Sequence, residues 1–266
     1  MIPISDQNPT SRPAVLTAGL VVVCILAFVG FQTLGSTGDV RTGLGRIDGG
    51  LAFDLRHAVI PCEVLTGEPL SFDEVIATYR DGDVDACRSV DEGPELYPSK
   101  LVYLAALTSL FLHGGWAHLG GNMLFLWIFG NNIEDRLGHV RFALFYLAGG
   151  LVATAGHVLA EPSSTVPLVG ASGAIAAVMG AYLVWYPRAR VLTLIPPIFV
   201  LPVRAQWFLL IWFVVQFFTS PTAGVAWVAH VGGFAFGSIV ALIVGRPDRA
   251  APPASSPPSP WGEARP

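Results

Sequence analysis

Long apolar stretches recur along this chain and are separated by short polar segments. A helix that crosses the hydrocarbon core of a bilayer needs about 20 apolar residues with few charges among them. Six stretches approach that length: 14–34, 118–133 (with a start nearer Gly114), 140–160, 169–186, 205–220 and 224–245. The pattern therefore predicts an all-α fold class, a polytopic membrane protein with six transmembrane helices.

The composition agrees with a membrane protein. Of the 266 residues, 53% are hydrophobic and 13% are charged, and the mean hydropathy is +0.58, outside the usual globular range. The formal net charge of -4 provides no basic surface, so nucleic acid is excluded as a main partner. Three cysteines without CxxC spacing exclude a zinc ribbon and a thioredoxin-like redox centre.

The positions of arginine predict the orientation in the membrane, because cytoplasmic loops are enriched in Arg and Lys. The two short loops 161–168 and 221–223 contain neither, which predicts that they lie outside and that both termini are cytoplasmic. This topology places nine arginines on the cytoplasmic side: Arg12, Arg136, Arg141, Arg188, Arg190, Arg204, Arg246, Arg249 and Arg265. A signal peptide is the alternative for 14–34, but no A-x-A site follows it, so a retained helix is favoured.

The domain organisation follows from these helices. Residues 1–13 form a cytoplasmic N-terminus, 14–34 the first transmembrane helix, and 114–245 the remaining five helices. Between them, 35–113 is predicted to be an extracytoplasmic loop, whose apolar part 101–113 is too short to cross and suits a re-entrant segment. The Pro-rich residues 246–266 are expected to be a disordered cytoplasmic tail.

Two cysteines lie in the long extracytoplasmic segment. Residues 35–100 carry thirteen acidic and six basic side chains together with Cys62 and Cys87. In an oxidising compartment these two could form a disulfide, although two independent thiols fit the sequence equally well. Cys24, inside the first helix, is interpreted as a small packing residue.

Four polar residues lie in or beside the predicted membrane helices, where polar groups are costly and often functional. They are His118, Asn122, Ser172 and His230. His118 and Asn122 share one helix face, and Ser172 lies near a helix N-terminus that can stabilise an oxyanion. Taken singly, each is more simply a packing or hydrogen-bonding residue.

Together, the four suggest nucleophilic catalysis. A serine hydroxyl needs a base to accept its proton, and His230 is the ionisable side chain of the sixth helix. No Asp or Glu lies in helices three to six, so a Ser-His dyad is predicted rather than a triad. Close packing of the fourth and sixth helices is expected at small residues: Gly173, Ala177, Gly180, Gly233 and Gly237.

The motifs resemble those of the rhomboid family of intramembrane serine proteases. FLHGGWAH at 111–118 leads into the H-x-x-x-N pair of His118 and Asn122, and Glu134, Arg136 and Gly138 follow in an E-x-R-x-G pattern. GASG at 170–173 is similar to the nucleophile motif, and AHVGG at 229–233 with Gly237 to the last core helix. The resemblance covers residues 100–245 and identifies the chain as a bacterial rhomboid.

The resemblance implies a six-helix rhomboid-like bundle with a water-filled cavity open to the outside. Ser172 would attack a peptide carbonyl of a single-pass membrane protein, in or near its transmembrane helix, and His230 would act as base and then acid. His118 and Asn122, with the backbone N–H at Ser172, would form the oxyanion hole. The expected partners are transmembrane protein substrates and the lipid bilayer, in the plasma membrane, without a metal or cofactor.

Two positions depart from the family pattern. Ala176 stands where many members carry an aromatic ring that stacks on the catalytic histidine, so His230 would depend on another ring. Leu104-Ala105 replaces a Trp-Arg pair of the first outer loop. The alternative function is a rhomboid-like pseudoprotease that binds membrane helices as a chaperone or trafficking factor, which the retained serine and histidine disfavour. A transporter is disfavoured by the lack of broken inverted repeats, and metalloprotease and aspartyl protease motifs are missing.

Overall fold

The structure is a computed structural model that describes residues 1–36, 40–42, 45–88, 93–196, 198–218 and 226–245. Over these residues it is mostly helical, as predicted. The expected disordered tail at 246–266 and the outer loop 221–223 lie outside the described residues.

The long helices correspond to the predicted apolar stretches. They are α1 (Val15–Leu26), continued by a π-helical segment (Ala27–Gln32) and α2 (Thr33–Gly35), then α7 (Trp116–Leu137), α8 (His139–Ala160), α9 (Ser172–Trp185), α10 (Ala205–Gln216) and α11 (Trp227–Val244). Three continuous helical segments among the described residues are long and apolar enough to cross a membrane: Val15–Gly35, α8 and α11. Helices α9 and α10 are apolar but shorter.

Helix α9 lies at the centre of the bundle, packed against α7, α8 and α11. Every residue from Gly173 to Tyr182 is buried, which explains why this helix has no polar face. Beside it, Phe129 of α7 and Tyr146 of α8 are fully buried in the same hydrophobic core. Gly138, with φ of 77°, ends α7 and turns the backbone into α8, so that the two helices pack as neighbours.

The segment predicted as an extracytoplasmic loop is a small folded unit. It contains the hairpin β2 (Val40–Thr42) and β3 (Gly45–Ile47), then α3 (Gly49–His57), α4 (Pro61–Thr66) and α5 (Phe72–Tyr79). Ser71 and Glu74 form a capping box at the start of α5. The apolar side chains of Leu55, Ile60, Leu70 and Val75 form a core of their own around Cys62.

A disulfide and an ion pair cross-link this unit. Cys62 is bonded to Cys87, and Cys24 is a free, buried cysteine of α1. The chain's one lysine, Lys100, places its Nζ 2.6 Å from Glu63 Oε2, with both side chains at most 2% exposed. Burial raises the pKa of Glu63 and lowers the pKa of Lys100, since each charge has lost most of its hydration.

The segment 101–113 forms α6 (Val102–Thr108) and one 3₁₀ turn (Ser109–Phe111) before α7. It is too short to cross a bilayer, and its assignment as a re-entrant segment stays a prediction. Ser109 connects it to its neighbours: Val59 N–H donates to Ser109 Oγ at 2.6 Å, and Gly170 N–H donates to its carbonyl at 2.9 Å.

A three-stranded antiparallel sheet corrects the all-α prediction. Strand β1 (Ile2–Asp6) pairs with β4 (Arg190–Ile195), which pairs with β5 (Phe199–Arg204), so that Val191 faces Val203. Strands of five or six residues leave a weak signal beside runs of 20 apolar residues, and the polar N-terminus gives no sign of its distant partner. Asp6 at the end of β1 accepts a hydrogen bond from Tyr182 at 2.8 Å, which ties the sheet to the bundle.

Candidate active site

Ser172 and His230 meet although 58 residues separate them. The His230 Nε2 atom lies 2.8 Å from Ser172 Oγ, within hydrogen-bond distance. Ser172 is the first residue of α9, and His230 lies in the first turn of α11, so both are at the same end of the bundle. Both side chains are partly exposed, which leaves the hydroxyl accessible to a substrate.

The glycines of α9 and α11 allow this approach. A methyl group at Gly233 would overlap the carbonyl oxygen of Gly173, and one at Gly180 would overlap the carbonyl oxygen of Phe234. The two backbones are therefore in direct contact along this face, which a larger side chain would prevent. This contact places the start of α11, and with it His230, beside the start of α9.

The residues just before Ser172 are also constrained. Gly170 has φ of 128°, a conformation that other residues rarely adopt, and a Cβ there would lie 2.8 Å from His118 Cε1. A glycine two positions before the serine thus brings the backbone against the histidine of α7. With Ala171 as a cap that offers no side-chain acceptor, the N–H groups of the first turn of α9 have no partner within their helix.

His118 and Asn122 lie near Ser172 with donors available. Gly114 N–H donates to His118 Nδ1 at 3.3 Å, so the neutral imidazole carries its hydrogen on Nε2, the atom nearer Gly170. Asn122 is buried on the same helix face, and its Nδ2 has no hydrogen-bond partner among the described residues. A buried amide without a partner is costly, and this one lines the same cavity as Ser172.

The cavity has a volume of about 1280 Å³ and is lined by α7, α8, α9, α10, α11 and the loop 161–169. His157 of α8 contributes to its wall, and its Nε2 lies 3.7 Å from Glu161 Oε2. Val84 and Asp85 of the small folded unit also line it. A space of this size beside the serine can hold a segment of peptide.

The small folded unit of α3 to α5 holds the loop that leads to Ser172. Cys62 N–H donates to the Ser164 carbonyl at 3.0 Å, and Leu168 N–H donates to the Val59 carbonyl at 2.8 Å. Thr165 adds a hydrogen bond from its N–H to the carbonyl of Val84 at 2.9 Å. Three backbone hydrogen bonds therefore fix the loop between α8 and α9 to this unit.

Two residues of α10 contact His230, and sequence reasoning did not single them out. The ring of Trp212 lies 5.9 Å from the imidazole, centroid to centroid, at an angle of 38°. Gln216 Oε1 lies 2.7 Å from His230 Nδ1. Ala176, where an aromatic ring was expected to stack on the histidine in many relatives, is fully buried in the core instead. A glutamine inside an apolar run was the signal that could have identified Gln216.

Among the described residues, Cys62, Glu74 and Cys87 are close enough together to share a metal ion. The disulfide between the two cysteines removes both thiolates, so these residues are poor metal ligands. The serine and histidine pair needs no metal to function chemically, because the imidazole itself can accept the hydroxyl proton.

The fold and site define a polytopic helical membrane protein with a serine–histidine pair in a cavity at one end of the bundle. Residues 101–247 match the family description "Rhomboid domain", which covers more than half of the chain. The chain belongs to the rhomboid family, as its motifs indicated. The family acts on transmembrane proteins and resides in membranes.

Curated relatives match shorter stretches. The chain is 34% identical over 99 residues to "Rhomboid protein 1, mitochondrial" of Saccharomyces cerevisiae, covering 36% of this chain and 29% of the relative. It is 39% identical over 77 residues to "Putative rhomboid protease YdcA" of Bacillus subtilis, covering 29% of this chain and 38% of the relative. "Rhomboid protease GluP" of Bacillus subtilis is 44% identical over 77 residues, 29% of this chain and 15% of that protein. The chain thus spans less than half the length of these relatives.

Proposed function

We propose that this protein is an intramembrane serine endopeptidase that cleaves single-pass membrane proteins in or near their transmembrane helix through a dyad of Ser172 and His230. The observation that carries the proposal is the 2.8 Å distance between His230 Nε2 and Ser172 Oγ in a cavity large enough for a peptide. His230 accepts the hydroxyl proton as Ser172 Oγ attacks the carbonyl carbon. The imidazolium then protonates the leaving amine, and a water molecule activated by His230 hydrolyses the acyl-enzyme.

The oxyanion of the tetrahedral intermediate forms beside donors from two helices. The oxyanion hole consists of the Nε2–H of His118, the backbone N–H at Ser172 and the amide of Asn122, which has no partner among the described residues. The N-terminal end of α9 adds the positive end of its macrodipole. Negative charge that develops on the carbonyl oxygen is therefore stabilised by neutral donors, without a buried cation.

The proposed topology has six transmembrane helices, with the continuous segment Val15–Gly35, α7, α8, α9, α10 and α11 crossing the plasma membrane. The residues before α1 and after α11 lie in the cytoplasm, and the unit with the disulfide lies outside, where the cavity opens. The shortness of α9 and α10 supports a site below the membrane surface. A substrate helix must unwind before its carbonyls can be attacked, so substrates with Gly or Pro near the cleavage site are expected.

The test is covalent labelling of the detergent-purified protein with a fluorophosphonate probe, together with cleavage of a single-pass model substrate. We expect both signals to disappear in Ser172→Ala and in His230→Ala while both proteins remain folded. The matched control is Ser163→Ala, which removes another hydroxyl from the wall of the same cavity and should label like the wild type. Cleavage that persists in Ser172→Ala would contradict the proposal.

A folded wild-type protein that neither labels nor cleaves would favour the alternative function, a pseudoprotease that binds membrane helices. That outcome would then be followed by measuring capture of the same model helix in nanodiscs. The cavity geometry would serve binding in that case, with Ser172 and His230 as an inert hydrogen-bonded pair.

A further inference from the structure

The amide of Gln216 lies at the Nδ1 edge of the His230 ring, whereas Ser172 lies at the Nε2 atom. Gln216 is the last residue of α10 and is buried, and its Oε1 is 2.7 Å from His230 Nδ1. The imidazole thus has one partner at each nitrogen, Gln216 at Nδ1 and Ser172 at Nε2. The contact joins α10 to α11, two elements that otherwise touch at few points.

The orientation of the amide decides which nitrogen of the imidazole carries the hydrogen. Gln216 Nε2 donates to the carbonyl oxygen of Trp212 at 3.1 Å, one turn back along α10. This hydrogen bond turns the amide oxygen, an acceptor, toward His230. An acceptor at 2.7 Å requires a hydrogen on Nδ1, which leaves the lone pair on Nε2 to face the hydroxyl of Ser172.

We propose that Gln216 is a positioning residue of the protease, one that holds His230 in the tautomer and ring orientation needed to accept the proton of Ser172. The inference rests on the proposed function and adds a third member to the dyad. In the alternative tautomer, Nε2 carries the hydrogen and cannot act as a base toward Ser172. The wrong tautomer is therefore inactive even when every distance is unchanged.

A neutral amide suits this position because it lies within the membrane bundle. A carboxylate there would lose its hydration and depend on the imidazolium of His230 as its counter-charge, whereas the amide accepts the Nδ1–H without a net charge. The ring of Trp212 lies 5.9 Å from His230 and limits rotation of the imidazole on the same side. Helix α10 thus supplies both the acceptor that selects the tautomer of His230 and the ring that limits rotation of its imidazole plane.

The experiment compares Gln216→Leu and Gln216→Glu with the wild type. Leucine removes the acceptor at similar size, whereas glutamate retains it and adds a charge. The control is Gln206→Leu, which removes a glutamine side chain from the other end of the same helix. The readouts are the rate of fluorophosphonate labelling, kcat and KM for a model transmembrane substrate, and the dependence of kcat on pH.

For Gln216→Leu we expect labelling rate and kcat to fall about 10- to 100-fold with KM unchanged, because one orienting hydrogen bond of the base is lost. Gln216→Glu should have a kcat close to that of the wild type near neutral pH. The acidic limb of its kcat–pH profile should move to higher pH by about one unit, since a carboxylate stabilises the imidazolium. His118 and His157 are the other ionisable groups whose charge acts on His230, and they are the same in all variants. Gln206→Leu should match the wild type.

The outcomes separate this inference from the function on which it rests. If the wild type does not label, the proposed protease function fails. If the wild type labels and Gln216→Leu labels at the same rate with the same pH profile, the protease stands and the positioning role is wrong. If Gln216→Leu does not fold, Gln216→Glu decides alone: a shifted acidic limb supports the role, and an unchanged limb overturns it.

Discussion

The backbone of Gly237 lies directly against the carbonyl group of Ala177, so that a methyl group at Gly237 would overlap the carbonyl oxygen and the α-carbon of Ala177. This contact belongs to the same helix face as Gly173 and Gly233, and it is one turn further from the candidate active site. Helices α9 and α11 have the most extensive contact in the bundle. The distance between Ser172 and His230 therefore depends on packing that extends well away from those two side chains.

Gly237→Ala should separate α9 from α11 and reduce activity strongly. Overpacking of this kind costs about 1–3 kcal/mol of stability, and a shift of about 1 Å between reacting groups lowers the rate about 100-fold. The measurements are the labelling rate and the thermal unfolding midpoint in detergent. Gly156→Ala is the control, since a Cβ at Gly156 of α8 meets nothing within 4 Å. Equal labelling rates for the two variants would contradict the packing argument.

Asn122→Ala should lower kcat about 100- to 1000-fold with little change in KM, because a donor to the oxyanion acts mainly in the transition state. Asn122→Asp has nearly the same size but lacks the amide donor, so it should be equally impaired at neutral pH. Steady-state cleavage of the model substrate checks both variants. An active Asn122→Asp would show that the donor is not what matters at this position.

Loss of the disulfide should weaken the small folded unit that contains it and then the site. A cross-link that spans 25 residues of sequence contributes about 3 kcal/mol by restricting the unfolded chain. Since Cys62 also donates to the Ser164 carbonyl in the loop before Ser172, we expect the Cys62→Ser, Cys87→Ser double variant to unfold at lower temperature and to label more slowly.

The matched control for this double variant is Cys24→Ser, which removes the free thiol of α1 and leaves the cross-link intact. Reductant should destabilise the wild type and Cys24→Ser but not the double variant. An unchanged unfolding midpoint of the wild type after complete reduction of the disulfide would show that the cross-link has no stabilising role.

The carboxyl group of Asp54 should make stability depend on pH. Burial raises the pKa of Asp54 from its ordinary value of 3.8 to about 6, so the folded protein favours the protonated form. Its stabilising contribution is complete below about pH 4 and is lost as the pH rises through about 6. Asp54→Asn should therefore be more stable than the wild type at pH 7, by about 3 kcal/mol at most, and less dependent on pH.

Thermal unfolding at pH 5 and at pH 8 measures this difference. Asp81→Asn is the control, because the carboxylate of Asp81 pairs with Arg80 on the surface and its removal should change little. If Asp54→Asn loses as much stability as the wild type between the two pH values, the carboxyl group of Asp54 is not the cause.

Much of this protein was predictable because the relevant signals are local. The length of an apolar run determines whether a helix can cross a membrane, so the long helices follow the predicted stretches with shifts of a few residues at their ends. The order and spacing of the histidine, asparagine, serine and glycine motifs identified the rhomboid family before any contact was known. The same motifs indicated Ser172 as the candidate nucleophile and His230 as the candidate base.

Other features depend on contacts between distant residues, which apolar periodicity does not encode. The sequence left open whether Cys62 and Cys87 pair, because pairing depends on the distance between two folded segments. It missed the sheet of β1, β4 and β5, whose strands are short and in which β1 is far along the chain from its partner β4. It also treated the small folded unit of α3 to α5 as a loop, since its core consists of a few apolar side chains spread among charged ones.

The sequence alone determined a membrane-embedded helical bundle of the rhomboid family and a set of polar residues suited to nucleophilic chemistry, because helix-forming runs and motifs are properties of neighbouring residues. Only the tertiary structure decided what surrounds His230. Gln216 comes from a different helix, and its role depends on an amide orientation set by Trp212 and on a 2.7 Å contact to Nδ1. Such a relationship arises from the packing of α10 against α11, and no pattern along the chain specifies it.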